Sequence, residues 1–120
     1  MAVRAIRGAI TVTENTKESI WEGTKELLAE IIERNSLENK DIISVIFTVT
    51  QDLNATFPAV AARQIGWNDI PLMCTSEINV PGSLEKCIRV LIHINTEKSN
   101  IEINHVYLKG AQVLRPDLVE

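Results

Sequence analysis

Two arginines, Arg7 and Arg89, lie inside strand-forming sequence among aliphatic and small residues rather than at a solvated loop tip. A guanidinium in such a place either pairs with an acidic side chain across the strands or grips a carboxylate ligand through two parallel hydrogen bonds. The second possibility is a binding function. Two such groups would suit a substrate that carries more than one carboxylate, and Arg63 and Arg115 could contribute further positive charge.

The other side chains with catalytic potential are few. Glu77 follows a predicted strand, where a carboxylate is usually solvated, and Tyr107 is expected to bury its ring and keep its hydroxyl at the rim. Cys74 has no adjacent base to activate it as a nucleophile. The sequence has no metal-ligand spacing, Ser-His-Asp arrangement, phosphate loop or dinucleotide fingerprint. An enzyme with this inventory should work by binding and charge placement, without metal or cofactor.

The composition predicts one soluble domain spanning residues 1–120. Hydrophobic residues make up 45% of the chain and charged residues 23%, which argues against intrinsic disorder. A net charge of −4 and an aromatic content of 4% argue against binding to nucleic acid or to an anionic membrane. With strand-sized apolar stretches and no apolar signal core, we expect a cytoplasmic protein with reduced Cys74 and Cys87.

Turn signals divide the chain into two predicted helices and five predicted strands. Apolar residues at helical spacing predict a long amphipathic helix that ends near Asn35, and Asn15 with Glu18 has the spacing of a capping box at its start. A shorter helix is predicted over residues 57–65, with proline in its first turn and Gly66 as its stop.

The strands should form one sheet. They are predicted over residues 3–12, 42–50, 70–75, 87–95 and 103–108, and an irregular tail is expected over residues 114–118. The fold class is therefore α+β, with about five strands, one long helix and one short helix.

Side chains alternate across a strand, so sequence parity assigns them to the two faces of the sheet. One face is aliphatic throughout and should pack against the long helix. The other face is mixed, with small residues, hydroxyls and the isolated groups Arg7, Arg89 and Tyr107. No spare helix is available to cover it, so we expect other copies of the chain to do so in a closed symmetric oligomer.

Several segments, read in order at near-constant spacing, resemble the monofunctional chorismate mutases of the trimeric α/β (AroH) class. The resemblance runs from about residue 3 to residue 118. Its segments are VRAIRGA (3–9), DLNATFPA (52–59), IPLMC (70–74), GSLEKCIRV (82–90), and HVYL (105–108) with VLRPDL (113–118).

This resemblance implies a homotrimer whose sheets form a pseudo-α/β-barrel, with active sites between neighbouring subunits. The implied reaction is the Claisen rearrangement of chorismate to prephenate in phenylalanine and tyrosine biosynthesis. Arg89 matches the group that binds the breaking ether oxygen, Arg7 and Tyr107 match the groups that hold substrate carboxylate, and Glu77 matches the acceptor of the ring hydroxyl.

The resemblance also assigns residues around the substrate. The matching pocket wall comprises Phe57, Ala59, Leu72, Met73, Cys74 and Leu114, and Arg63 and Arg115 match the entrance. The chain departs from the family pattern at Val60, where lysine is common, and at Met73, where threonine is common. Backbone contact alone carries over at Met73.

Two other functions compete with this hypothesis. One is a Rid-type imine or enamine deaminase, a class with a similar trimer and an arginine-based carboxylate grip. The other is a non-catalytic trimer that binds small carboxylates. An assay with chorismate separates both from a mutase.

Overall fold

A five-stranded mixed sheet organises residues 2–115, the part of the chain that the computed structural model describes. The elements are β1 (Ala2–Thr11), α1 (Lys17–Asn35), β2 (Ile42–Val49), α2 (Ala59–Gln64), β3 (Leu72–Ser76), β4 (Cys87–Thr96) and β5 (Val106–Leu108). The order across the sheet is β3-β2-β4-β1-β5. Central β4 runs antiparallel to β1 and β2, and the edge strands β3 and β5 run parallel to β2 and β1, respectively.

The predicted α+β class and the predicted packing of the aliphatic face are confirmed. Side chains of α1 such as Leu27 and Ile31 are fully buried against the sheet residues Ile6, Ile10 and Ile92, in one continuous core. Burial of this size is the main source of stability in a domain of this length. No helix of the described residues is long and apolar enough to cross a membrane.

The start of α1 differs from the predicted capping box. Thr16 is the N-cap, and its hydroxyl accepts a hydrogen bond from the Ser19 backbone N–H at 3.1 Å. Asn15 instead accepts hydrogen bonds from the backbone N–H groups of Asn54 and Ala55. The prediction was wrong because a tertiary contact, invisible in the sequence, engages the Asn15 side chain.

The two edge strands differ from their predicted bounds: β3 begins and ends later than predicted, and β5 is shorter because it begins later. Pairing of β3 begins at the Pro71 carbonyl, which accepts from Val45 N–H at 3.0 Å, so the strand covers residues 72–76 instead of 70–75. Before β5, the Asn104 backbone N–H donates to the Asn35 side chain, and the Arg7 backbone N–H donates to a His105 ring nitrogen. Side chains therefore replace the ladder bonds there, and β5 begins only at Val106.

The chain after β5 partly covers the mixed face. Residues Lys109–Leu114 form a 3₁₀ helix, and Ala111 and Leu114 pack with Tyr107 and Ala9 in a second, smaller apolar cluster. Leu114 is thus ordered where an irregular tail was predicted. Arg115 has no regular secondary structure, as predicted, and residues 116–118 of the predicted tail lie outside the described residues.

Candidate functional site

Strand register places the candidate groups in one row on the mixed face. Thr48 of β2 lies opposite Arg89 of β4, Arg89 lies opposite Ala9 of β1, and Ala9 lies opposite Tyr107 of β5. Side chains at these positions project to the same face because the partners in a ladder share their orientation. The alanine leaves space between the guanidinium and the phenol ring.

Glu77 reaches this row from the end of β3. Its backbone N–H donates to the Val49 carbonyl at 2.9 Å, which continues the pairing of β2 and β3 by one residue. Its carboxylate oxygen Oε2 accepts a hydrogen bond from the Thr48 hydroxyl and lies 3.5 Å from Nε of Arg89. The Glu77 side chain is 22% exposed and the Arg89 side chain 39% exposed, so both remain accessible to a ligand.

The Nε atom of Arg89 is buried, and it donates no hydrogen bond to any described residue. A buried donor without an acceptor costs about 1–3 kcal/mol, so such atoms are rare unless a ligand or water completes them. Arg89 therefore has an ion-pair neighbour in Glu77 and still has hydrogen-bonding capacity for an oxygen ligand.

Arg7 lies on the adjacent row of the same face, opposite Leu91 of β4. Its backbone N–H donates to Nδ1 of His105 at 2.9 Å. Burial, and then the positive charges of Arg7 and Arg115, lower the pKa of His105 below its ordinary value of 6.5. The charge of Arg115 therefore acts on His105, next to Arg7.

These groups surround one open depression of about 210 Å³. Of the predicted site residues it is lined by Arg7, Glu77, Arg89 and Tyr107. Its other lining side chains, among them Ile46, Thr48 and Leu91, were not predicted as site residues. Strand parity in the sequence puts Thr48 on the mixed face, but it does not fix the position of Glu77, which lies in a loop.

A larger cavity of about 410 Å³ lies between residues 50–52 and residues 77–85. It shares Glu77 with the depression, and its lining also includes Asp52 and Glu85 but no basic side chain. Three carboxylates repel an anionic ligand, so this cavity does not suit a dicarboxylate. The smaller depression has the appropriate charge.

Of the other predicted pocket residues, Leu114 packs beside Tyr107, and the rest lie away from the depression. Ala59, Leu72 and Cys74 pack against the main core, on the face of the sheet covered by the helices. Phe57, 67% exposed, lies just before Pro58, the N-cap of α2, and the exposed Arg63 belongs to α2. Met73 occupies the mixed face at the sheet edge and is 63% exposed. One chain therefore does not bring this second group to the depression.

Both cysteines are free thiols. Burial raises the pKa of Cys74, against the opposing effects of the Ala59 backbone and the Arg63 charge. Burial likewise raises the pKa of Cys87, although the charge of Arg89 partly offsets it. Since the thiolate is the nucleophilic form, neither environment activates its sulfur.

Comparison with known proteins identifies the family of the chain. The model of the family described as chorismate mutase type I matches residues 3–118. The chain belongs to the type I chorismate mutases. Membership makes the protein an isomerase of aromatic amino acid biosynthesis, and it does not favour the deaminase alternative.

Similar members of the family cover nearly the whole chain. The chorismate mutase AroH of Thermus thermophilus is 51% identical over 117 residues, which are 97% of this chain and 96% of that protein. The chorismate mutase AroH of Bacillus subtilis is 45% identical over 119 residues, 98% of this chain and 94% of that protein. A chorismate mutase structure from Clostridium thermocellum is 60% identical, with a TM-score of 0.90, and covers 92% of this chain and 98% of that one.

Proposed function

We propose that the depression on the mixed face binds chorismate and promotes its concerted rearrangement to prephenate. The observation that carries the proposal is the convergence of Arg7, Glu77, Arg89 and Tyr107 on one open depression. One guanidinium can bind a substrate carboxylate and the other the polarised ether oxygen. Each of these residues was predicted from the sequence as part of the site.

The first task of the site is to fold the substrate. The rearrangement brings two carbon atoms of one molecule together, and it needs neither a nucleophile nor a proton donor. Arg7 and Tyr107 would hold substrate carboxylate from neighbouring rows of the sheet. Because binding already fixes the substrate carboxylate, less entropy is lost when the bound substrate reaches the reactive conformation.

The second task is to stabilise charge at the ether oxygen. As the carbon–oxygen bond stretches, that oxygen becomes more negative, and the Arg89 guanidinium would then bind it more strongly than in the ground state. The Nε atom of Arg89, which has no hydrogen-bond partner among the described residues, supports this role. A fixed donor of this kind is worth about 3–4 kcal/mol of barrier.

Glu77 would accept a hydrogen bond from the ring hydroxyl. Its carboxylate lies close enough to Arg89 to hold the guanidinium in place, since the atoms Oε2 and Nε are 3.5 Å apart. The ether oxygen and the ring hydroxyl of the substrate would thus be bound by two side chains that also orient each other.

We further propose a homotrimer with each active site between two neighbouring copies. The groups predicted to surround one substrate fall on opposite faces of the sheet within one chain, so a site that contains both needs two chains. Large apolar side chains on the mixed face are exposed in the single chain, including Val3 at 57% and Met73 at 63%. Covering them in a closed assembly would be favourable.

The whole chain, residues 1–120, would form one chorismate mutase domain, with chorismate as its small-molecule substrate. The free thiols of Cys74 and Cys87 support a cytoplasmic location, because the cytoplasm keeps thiols reduced.

Replacement of Arg89 tests the mechanism. We expect Arg89→Ala to lower kcat by on the order of a hundred- to a thousandfold, with a smaller effect on KM. Arg89→Lys keeps the charge but loses the planar fork, so it should restore only part of the activity. Turnover is followed as the loss of chorismate absorbance together with the appearance of prephenate.

Arg34→Ala is the matched control, because Arg34 lies on α1 and pairs with Glu30 away from the depression. It should retain the wild-type kcat. Near-normal turnover of Arg89→Ala at saturating chorismate would refute the assigned role. Stabilisation of the wild-type protein by chorismate without any product would instead identify a non-catalytic carboxylate binder.

A further inference from the structure

Thr48 lies in the depression beside two of the proposed catalytic groups. It is the β2 partner of Arg89 in the ladder, and its hydroxyl donates to Oε2 of Glu77. The same Oε2 lies 3.5 Å from Nε of Arg89. One carboxylate oxygen is therefore shared between a neutral donor and a cationic neighbour.

The position of Glu77 in the fold explains why its carboxylate needs such a partner. Glu77 follows the end of β3, at the edge of the sheet, and its side chain has a flexible stem with several accessible rotamers. Thr48 lies within β2, which pairs on both sides. The Thr48 hydroxyl thus holds the flexible Glu77 side chain against a strand that is paired on both sides.

The bond also limits how Glu77 can interact with Arg89. A carboxylate beside an arginine tends to form two parallel N–H···O bonds, which would occupy the face of the guanidinium that a substrate oxygen needs. Here the separation of 3.5 Å and the unsatisfied Nε show that this closed pair has not formed. The Thr48 hydroxyl engages Oε2 and leaves Oε1 for another donor.

We propose that Thr48 is a positioning residue of the chorismate mutase site, which holds Glu77 ready for the ring hydroxyl and keeps Arg89 open to the ether oxygen. This inference rests on the proposed function and deepens it. Thr48 itself would not contact the reacting atoms. Its effect passes through the carboxylate of Glu77.

The test compares Thr48→Val with Thr48→Ser. Valine keeps the size and β-branching of threonine, so the strand should be preserved, but it removes the donor. We expect Thr48→Val to lower kcat/KM by on the order of ten- to a hundredfold, the value of one hydrogen bond to a charged group. Thr48→Ser retains the hydroxyl and should stay within about threefold of the wild type.

A double-mutant cycle with Glu77→Gln distinguishes positioning from a general structural role. If Thr48 acts through the charged carboxylate, Thr48→Val should lose most of its effect on kcat/KM in the Glu77→Gln background. An undiminished effect there would overturn the proposal. So would wild-type kcat/KM in Thr48→Val, or an equal loss in Thr48→Ser.

The wild type and Arg89→Ala, assayed alongside, separate this inference from the function on which it rests. Suppose that the wild type converts chorismate and that Arg89→Ala is impaired. If Thr48→Val is then unimpaired, only the positioning role of Thr48 is refuted. If the wild type does not convert chorismate, the proposed function fails. Unfolding midpoints of both Thr48 variants close to that of the wild type would show that the comparison concerns the site rather than the fold.

Discussion

His105 ties the position of Arg7 to the ionisation of an imidazole ring. Its Nδ1 accepts the Arg7 backbone N–H at 2.9 Å, so that nitrogen must be unprotonated in the folded protein. The charged groups facing the ring are Arg7 of β1 and Arg115 beyond the 3₁₀ helix, and both act in the same direction as burial. A protonated ring would lose the acceptor and add a third positive charge.

The lowered pKa of His105 predicts a pH dependence of stability. Because the folded pKa lies below the ordinary value of 6.5, the unfolded chain binds more protons than the folded protein in acid. The contribution of His105 is therefore complete above pH 6.5 and is lost as the pH falls toward the folded pKa. His105→Asn keeps an acceptor near the position of Nδ1 but does not titrate.

We expect the free energy of unfolding to fall less in His105→Asn than in the wild type between about pH 7.5 and about pH 5.5. Denaturant titrations of the wild type and the variant at equal protein concentration measure this free energy. His105→Leu, which removes both the acceptor and the charge, should be destabilised at both pH values. Identical pH dependence in the wild type and His105→Asn would contradict this account.

At the scale of elements, the end of α1 is attached to the segment that precedes β5. Nδ2 of Asn35 donates to the Ile31 and Asn104 carbonyls, and Oδ1 accepts the Asn104 backbone N–H at 2.8 Å. Asn35 is 5% exposed, so water cannot readily replace these bonds. The junction fixes where β5 begins, and β5 contains Tyr107.

Asn35→Ala should therefore destabilise the protein by about 2–3 kcal/mol, because it leaves buried backbone groups without partners. Asn104→Ala is the control. Its side chain makes one exposed hydrogen bond, to the Arg34 carbonyl, and we expect a loss of less than about 1 kcal/mol. Equilibrium unfolding of both variants checks the prediction, and equal losses would refute the central role of Asn35.

The same junction shows how far the sequence predicts the elements. Hydrophobic periodicity identified all five strands, both helices and the face that packs on α1, since these depend on local alternation. It did not predict that Asn35 and His105 take the hydrogen bonds expected from strand residues 103–105, or that Thr16 caps α1 in place of Asn15. Those outcomes depend on side chains distant in sequence.

For the whole molecule, the important feature is the division of the predicted site between two faces. Parity correctly placed Arg7, Arg89 and Tyr107 together, and register brought them into neighbouring rows. The sequence alone did not show that Leu72 and Cys74 lie on the opposite face, against the main core. If the proposed site is correct, that division would make the trimer necessary for activity as well as for covering apolar surface.

Subunit complementation tests this requirement. Arg89→Ala removes a group of the depression, and Arg63→Glu places a negative charge on exposed α2, where it would repel a dianionic substrate. Each variant alone should have little activity. In every trimer that contains both variants, about one in three intersubunit sites would combine an intact depression from one chain with an intact α2 from its neighbour.

Coexpression of Arg89→Ala and Arg63→Glu with different tags, followed by purification of the mixed species, should therefore recover activity toward about a third of the wild-type value. Arg89→Ala mixed with Arg7→Ala provides the control, because both changes damage the same depression and no mixed site is intact. Light scattering confirms that each mixture is trimeric. If the first pair forms mixed trimers without regaining activity, the site is not shared between chains. If the second pair regains activity, Arg7 and Arg89 of one chain do not act in the same site.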